Sequence, residues 1–303
     1  MVALAVLLVC ASAPRIAPAP SDVSRSHPDN ADPRAYDALI RRCIQHESEN
    51  LRDSPPFAFM ERLEWHWGSE TRAVIETSEG RADRIVAFDD QPLADDQQAK
   101  QRQRLLKLLS SNKAVQSEFA EQREEGQRRR KMIRSLPNAF FLELSGAEPD
   151  GRLRFSFRPN PSFAPRDRET HVLKGMRGSL WIDPWAERIL RVEGELFKDV
   201  SFGWGILGRL HKGGRYELAQ AEVSPGKWRI TTLNLDLKGR ILFSSLRVLR
   251  RERNSAFAAT PPELKYRDAL TSLLNAPPQL NAPPQITLPG EREHGAAPAG
   301  HAQ

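Results

Sequence analysis

From Phe140 to Glu252 the chain keeps returning to one pattern, an apolar residue followed by a polar one. The segment RLRFSFR at 152–158 carries it most plainly, with Leu153, Phe155 and Phe157 alternating against Arg152, Arg154, Ser156 and Arg158. Successive side chains of a strand point to opposite faces, so this period of two predicts strands with one face buried and one in water. The same reading applies to AFFLEL, THVLKGMRGSLWID, RILRVEGELF, GRLHKGGRYELAQAEV, WRITTLNLDL and RILFSSLRVLRRE. Turns are expected at GAEPDG, at Asp183 to Ala186, at Gly213-Gly214 and at Lys238-Gly239. Consecutive antiparallel strands with a single apolar face form one strongly curved sheet, and its greasy concave side must be covered.

The segment FAFMERLEWHW at 57–67 has Phe57, Phe59, Leu63, Trp65 and Trp67 on alternate positions, opposite Arg62, Glu64 and His66. It reads as a half-buried strand. TRAVIET and ADRIVAF continue it as a meander around Ser78-Glu79-Gly80, and Asp89, Asp90 and Pro92 end it. Residues 94–135 then change character. Their composition is helix-forming, with a stripe of Leu105, Leu106, Leu108 and Leu109, a break near Ser110 to Asn112 and Pro137 as the stop. These helices are the expected cover for the sheet. A short helix is predicted over Pro33 to Leu51, and a last one at PPELKYRDALTSLL.

The ends read differently. MVALAVLLVCASAPRIAPAP has an apolar run too short to span a bilayer, followed by small residues of the kind signal peptidase accepts. Residues 1–20 are therefore read as an export signal, 21–34 as a polar, proline-rich linker, and the fold as 35–275. Cys10 raises a lipid anchor, but Val9 stands where a lipobox needs Gly, Ala or Ser, so simple cleavage ranks above lipidation. Cleavage leaves Cys43 without a disulfide partner; it shares a helical face with Leu39, Ile40 and Ile44 and reads as a packed small hydrophobe. Residues 276–303 repeat NAPPQ and then lose all periodicity, which predicts a disordered tail.

Chemistry is sparse. The sequence has no phosphate-cradling glycine loop, nucleophile elbow, H-E-x-x-H or cysteine pair. His46, His66, His171 and His211 are scattered, and the acidic pairs Asp89-Asp90 and Asp95-Asp96 sit at turn and helix-start positions that favour acids anyway. No enzyme, cofactor or metal is expected. The basic block QREEGQRRRKMIR has no interleaved aromatics, so it reads as a solvated helix face or a surface for anionic lipid rather than a nucleic-acid site.

The apolar inventory points to a hollow. A curved sheet too wide to be plugged by its own side chains would leave room for an acyl chain. Phe57, Phe59, Trp65, Phe155, Phe157, Leu180, Ile182, Leu233 and Leu235 are the candidates for its wall. Phe202, Trp204 and Ile206, spaced by Gly203, Gly205 and Gly208, are the candidates for a flexible mouth.

The stretch GMRGSLWIDPWAERILRVEGELF, continuing through KDVSFGWGILGRLHKGGRYELAQAEV and GKWRITTLNLDLKGRILF, resembles the outer-membrane lipoprotein-sorting proteins of the LolA and LolB type, in the form of their acidobacterial members. The residues that carry the likeness are Gly178, Leu180, Trp181, Ile182, Asp183, Arg188, Ile189, Arg191, Val192, Glu193 and Gly194, within a region of about 57–250. The resemblance implies an α+β fold, an incomplete barrel wrapped around helices. It also implies a periplasmic carrier that binds lipid or lipoprotein acyl chains and touches the membrane peripherally. The alternative is a non-catalytic structural or interaction module of the envelope, with a filled core and a protein partner. A hydrolase with a dispersed site would need a histidine and a carboxylate brought together in the hollow.

Overall fold

The computed structural model describes residues 33–202, 208–242, 244–277 and 279–286. The export segment with Cys10, the glycine-spaced run that holds Trp204 and Ile206, and the chain beyond Ile286 lie outside the described residues.

The strands, in chain order, are β1 (Phe57–Trp65), β2 (Gly68–Glu76), β3 (Arg81–Phe88), β4 (Gln91–Pro92), β5 (Phe140–Ala147), β6 (Leu153–Pro159), β7 (Met176–Asp183), β8 (Arg188–Leu196), β9 (Val200–Phe202), β10 (Gly208–Leu210), β11 (Arg215–Ser224), β12 (Lys227–Ile241) and β13 (Ser244–Ala259). The helices are α1 (Pro33–Asp53), α2 (Asp95–Ser110), α3 (Asn112–Ala139), α4 (Arg168–His171) and α5 (Tyr266–Asn275). The fold is α+β. The strands form one antiparallel sheet in the order β4-β3-β2-β1-β13-β12-β11-β8-β7-β6-β5, with β10 pairing β12 and β9 beside this path. Its ends, β4 and β5, do not pair with each other, so the sheet stays open rather than closing into a barrel.

The chain divides into two compact units, each with its own core. The first comprises the segment up to Ser54, Glu61–Ser69 and Arg123–Ser255; the second comprises Pro55–Met60, Glu70–Gln122 and the segment from Ala256 onward. In the second, Ala58, Met60, Ile75, Val86, Leu105, Leu108, Leu264, Tyr266, Leu270 and Leu273 form one buried cluster. The helices α2 and α5 thus cover the meander of β2 and β3. The Asp83 carboxylate is clamped there by Arg104, with Arg72 beside it at 3.9 Å, while Arg84 donates to the carbonyls of Leu273 and Ala276 and so ends α5. Helix C-termini leave carbonyls without intrahelical donors, and a guanidinium satisfies two of them here.

In the first unit, Phe155, Phe157, Leu180, Ile182, Tyr216, Leu233 and Leu235 share a cluster with Leu39, Ile40, Cys43 and Ile44. The expected cover therefore needs correction. The helices of 94–135 do not lie over these strands alone; α1 does most of the covering, and of α3 only Ile133, with Phe140 just after it, is packed against this cluster. The amphipathic stripe of α1 is what fits it for that place.

Four local expectations also change. Lys238-Gly239 is not a turn, because β12 runs through it to Ile241. Gly239 is small for another reason: a Cβ there would stand 2.2 Å from the Arg209 carbonyl oxygen, where β10 pairs against β12. Pro137 lies inside the last turn of α3 instead of ending it, and the helix stops where Phe140 turns edge-on to Phe157 at 4.9 Å. The residues THVLKG before β7 form α4 and a 3-10 turn rather than strand, because Asp167 caps the Thr170 amide at 2.9 Å. Finally, part of the proline-rich tail is packed: Leu280 and Ile286, one apolar residue in each six-residue repeat, rest on the core of the second unit.

Candidate functional site

The sequence pattern builds a contiguous apolar surface on one face of β6, β7, β8, β11 and β12. Register places Phe155 opposite Leu180, Leu180 opposite Val192, and Tyr216 opposite Leu235, so these side chains line up across the strands on a shared face. Helix α1 lies on that face. Leu39, Ile40, Cys43 and Ile44 are all within a tenth of full burial, and Tyr36 meets Phe155 edge to face at 5.8 Å. Burial pushes the Cys43 thiol up to about 12, with Glu187 and Glu47 acting in the same direction, so this thiol is inert while α1 is seated.

Polar ties hold α1 along its second half. Arg42 Nε reaches Glu187 at 2.7 Å, and His46 Nδ1 lies 3.2 Å from the Glu187 carbonyl oxygen. Glu47 accepts from Gln220 Nε2 at 2.7 Å and lies 3.7 Å from Arg188, and Asn50 donates to the Trp228 carbonyl at 3.0 Å. Burial pushes the Glu47 carboxyl above its ordinary range, although Gln220, Arg188 and His46 pull the other way. These partners belong to the β7–β8 turn, β8, β11 and β12; nearer the start of the helix, Tyr36, Leu39 and Ile40 pack by apolar contact.

The Tyr216 side chain brings a polar atom into this core. The Tyr216 hydroxyl has no hydrogen-bond partner among the described residues, and burial pushes its pKa well above that of a free phenol. It lies over Gly194, where a Cβ would approach it to 2.3 Å. The neighbouring Gly178 is equally constrained, since its Cβ would stand 1.9 Å from the Glu193 carbonyl oxygen. The two glycines face each other across β7 and β8, and this lets the tyrosine ring lie down on the sheet.

The other face of the same strands is charged. Ser179, Glu193, Glu217, Asn234 and Arg251 pair in one continuous row, and they line an open groove of about 520 Å³ with Glu195, Arg215 and Asp236. Arg191 joins Glu193 and Glu217, and Asn234 donates to Glu217 at 2.8 Å. Trp181 is held between the Arg154 and Arg191 guanidiniums, 5.2 and 5.4 Å from its ring.

The structure brings Phe155, Phe157, Leu180, Ile182, Leu233 and Leu235 together. It places the other candidates elsewhere. Phe202 belongs to a small cluster with Leu196, Val200 and Leu210. Trp65 is half-buried and stacks on Trp67 at 5.7 Å, with the rings 2° from parallel. Phe57 and Phe59 are in the second unit, packed on Phe257. Instead of bordering an open hollow, the six that gather are in contact with α1, whose apolar stripe was visible in the sequence while its destination was not. Gln220 and Tyr216 went unread because nothing local marks a polar residue that will be buried, and Arg188 was visible only as part of a strand motif.

Two histidines have acidic neighbours, His46 with Glu187 at 4.0 Å and His211 with Asp199 at 3.7 Å, each at a separate turn. Among the described residues there is no group of three His, Cys, Asp or Glu placed to hold a metal ion, and no helix is long and apolar enough to cross a membrane.

No protein-family model matches this chain, and no curated protein matches it. Among solved structures, it is similar to a DUF1329 family protein from Desulfovibrio piger, with 11% identity and a TM-score of 0.27, over 78% of this chain and 96% of that one.

Proposed function

We propose that this chain is an envelope carrier of the LolA and LolB kind, whose acyl-binding surface is the apolar face of β6, β7, β8, β11 and β12, occupied by α1 when no lipid is present. One observation carries this reading: a contiguous apolar sheet face is covered chiefly by a single amphipathic helix that forms no strand pairing with it. A helix seated by side chains can leave without breaking the sheet, and an acyl chain can replace its leucine and isoleucine contacts methylene for methylene. The export-type N-terminus and the G-x-L-W-I-D strand at Gly178 to Asp183 support the same reading. On it the protein works in the periplasm and meets the membrane only at its surface.

Delipidated protein titrated with a fluorescent long-chain fatty acid is expected to show saturable, stoichiometric binding. Absence of saturable binding contradicts the carrier.

A second reading is favoured by the closeness of the α1 packing itself. On that reading the helix is permanent core and the protein is a non-catalytic interaction module of the envelope. Native mass spectrometry of protein purified from the envelope separates the two: co-purifying lipid supports the carrier, and lipid-free protein with a bound protein partner supports the module.

A further inference from the structure

The open edge at β5 points to a second copy of this chain. β5 pairs with β6 on one side only and ends the strand order, so half of its backbone N–H and C=O groups face outward. The opposite end of the order is blunted, because β4 has two residues and one of them is Pro92. β5 has no such protection. It reads Phe140-Phe141-Leu142-Glu143-Leu144 before a bulge between Leu144 and Gly146, without proline or lysine.

Its apolar face is also unfinished. Phe140 and Leu142 rest on the core of their unit, and Leu144 stands opposite the buried Phe155 yet is 43% exposed. The apolar row therefore runs to the edge of the sheet with no strand of the described residues beyond it.

We propose that two copies join β5 to β5 in antiparallel register about a two-fold axis through Leu142. This register is the one the residues select. It sets Leu142 against itself and Phe140 against the second copy's Leu144, so that the apolar row continues across the axis. On the other face it sets Phe141 against the second copy's Glu143. Glu143 already holds Arg158 at 3.0 Å, and Arg158 lies 4.9 Å over the Phe141 ring, so each new pair brings a carboxylate beside an aromatic edge that carries its own guanidinium. Shifting the axis to Glu143 would oppose two carboxylates. Shifting by half a residue would set leucine against glutamate and turn one copy's core face to water. An isologous contact of this kind closes at two copies, leaving only the short, proline-bearing β4 edge on each.

The test is position-specific crosslinking in a Cys10→Ser chain, where buried Cys43 serves as an internal negative control. Single variants Phe141→Cys, Leu142→Cys and Leu144→Cys are oxidised mildly. Directly opposed strand residues lie within disulfide reach, so Leu142→Cys should give a linked dimer and the other two little. The unmodified chain should have twice the 34.2 kDa chain mass by light scattering. Leu142→Lys should halve that mass while keeping the circular dichroism spectrum. A monomeric chain, equal crosslinking at all three positions, crosslinking at another position only, or a dimer that survives Leu142→Lys each overturns the proposal.

Discussion

Gly194 and Tyr216 show how much a single position decides in this sheet. A methyl group at Gly194 would collide with the tyrosine hydroxyl and, at 2.4 Å, with the Arg177 carbonyl oxygen, which is backbone and cannot move aside. Gly194→Ala is therefore expected to cost more than about 3 kcal/mol in chemical denaturation. Tyr216→Phe should do the reverse of an ordinary core substitution. It removes a buried hydroxyl that has no partner among the described residues, so stability should hold or rise by about 1 kcal/mol in the same assay. The glycine at 194 was visible in the sequence only as part of a strand motif. That it makes room for the ring directly opposite it on the neighbouring strand depends on pairing β8 with β11, which nothing local in the sequence announces.

Elements were more legible than positions. The period of two located β3 and β6, where buried residues alternate with more exposed ones, and it also found β1 and β2, although these are buried on both faces; the break between α2 and α3 fell where Ser110 to Asn112 placed it. What failed was assignment of partners. The leucine stripe of α2 was expected on the long run of strands, but an apolar stripe specifies only that something apolar must cover it. Gly239 failed for a related reason, since glycine marks a turn and a close approach of two backbones equally well. Asp83 carries the prediction at this scale. Burial pushes its carboxyl up, yet Arg104, Arg72 and Arg81 outweigh that and hold it below the usual carboxylate range. A folded-state value below the unfolded one gives stability that is complete above about pH 4 and lost as pH falls through the lower value. Asp83→Asn should thus destabilise the protein by about 1 kcal/mol at neutral pH, because Arg104 and Arg72, each about a third exposed, lose a charged partner that water only partly replaces. The gap to the unsubstituted chain should close in acid as Asp83 itself protonates. Thermal melts of both chains across pH 2 to 7 read it directly.

At the scale of the molecule, helices cover the two cores, and the proposed carrier function rests on whether one of those helices can be exchanged for a ligand. The apolar wall was legible in the sequence as Phe155, Phe157, Leu180, Ile182, Leu233 and Leu235, because alternation alone gathers them on one face. Its occupant was not legible, since α1 and the strands it covers are joined by no local signal. Cys43 reports on that exchange without any label being introduced. It is fully buried on the sheet-facing side of α1 and its thiol is pushed up to about 12, so it reacts only when the helix leaves its seat. The decisive measurement is the rate of Cys43 modification by a soluble thiol reagent in a Cys10→Ser chain, with and without a saturating long-chain fatty acid, while circular dichroism confirms an unchanged fold. An acyl chain that displaces α1 should speed the reaction by about tenfold or more. A rate that stays the same or falls when the fatty acid is bound would mean that α1 is permanent core, and would contradict the carrier.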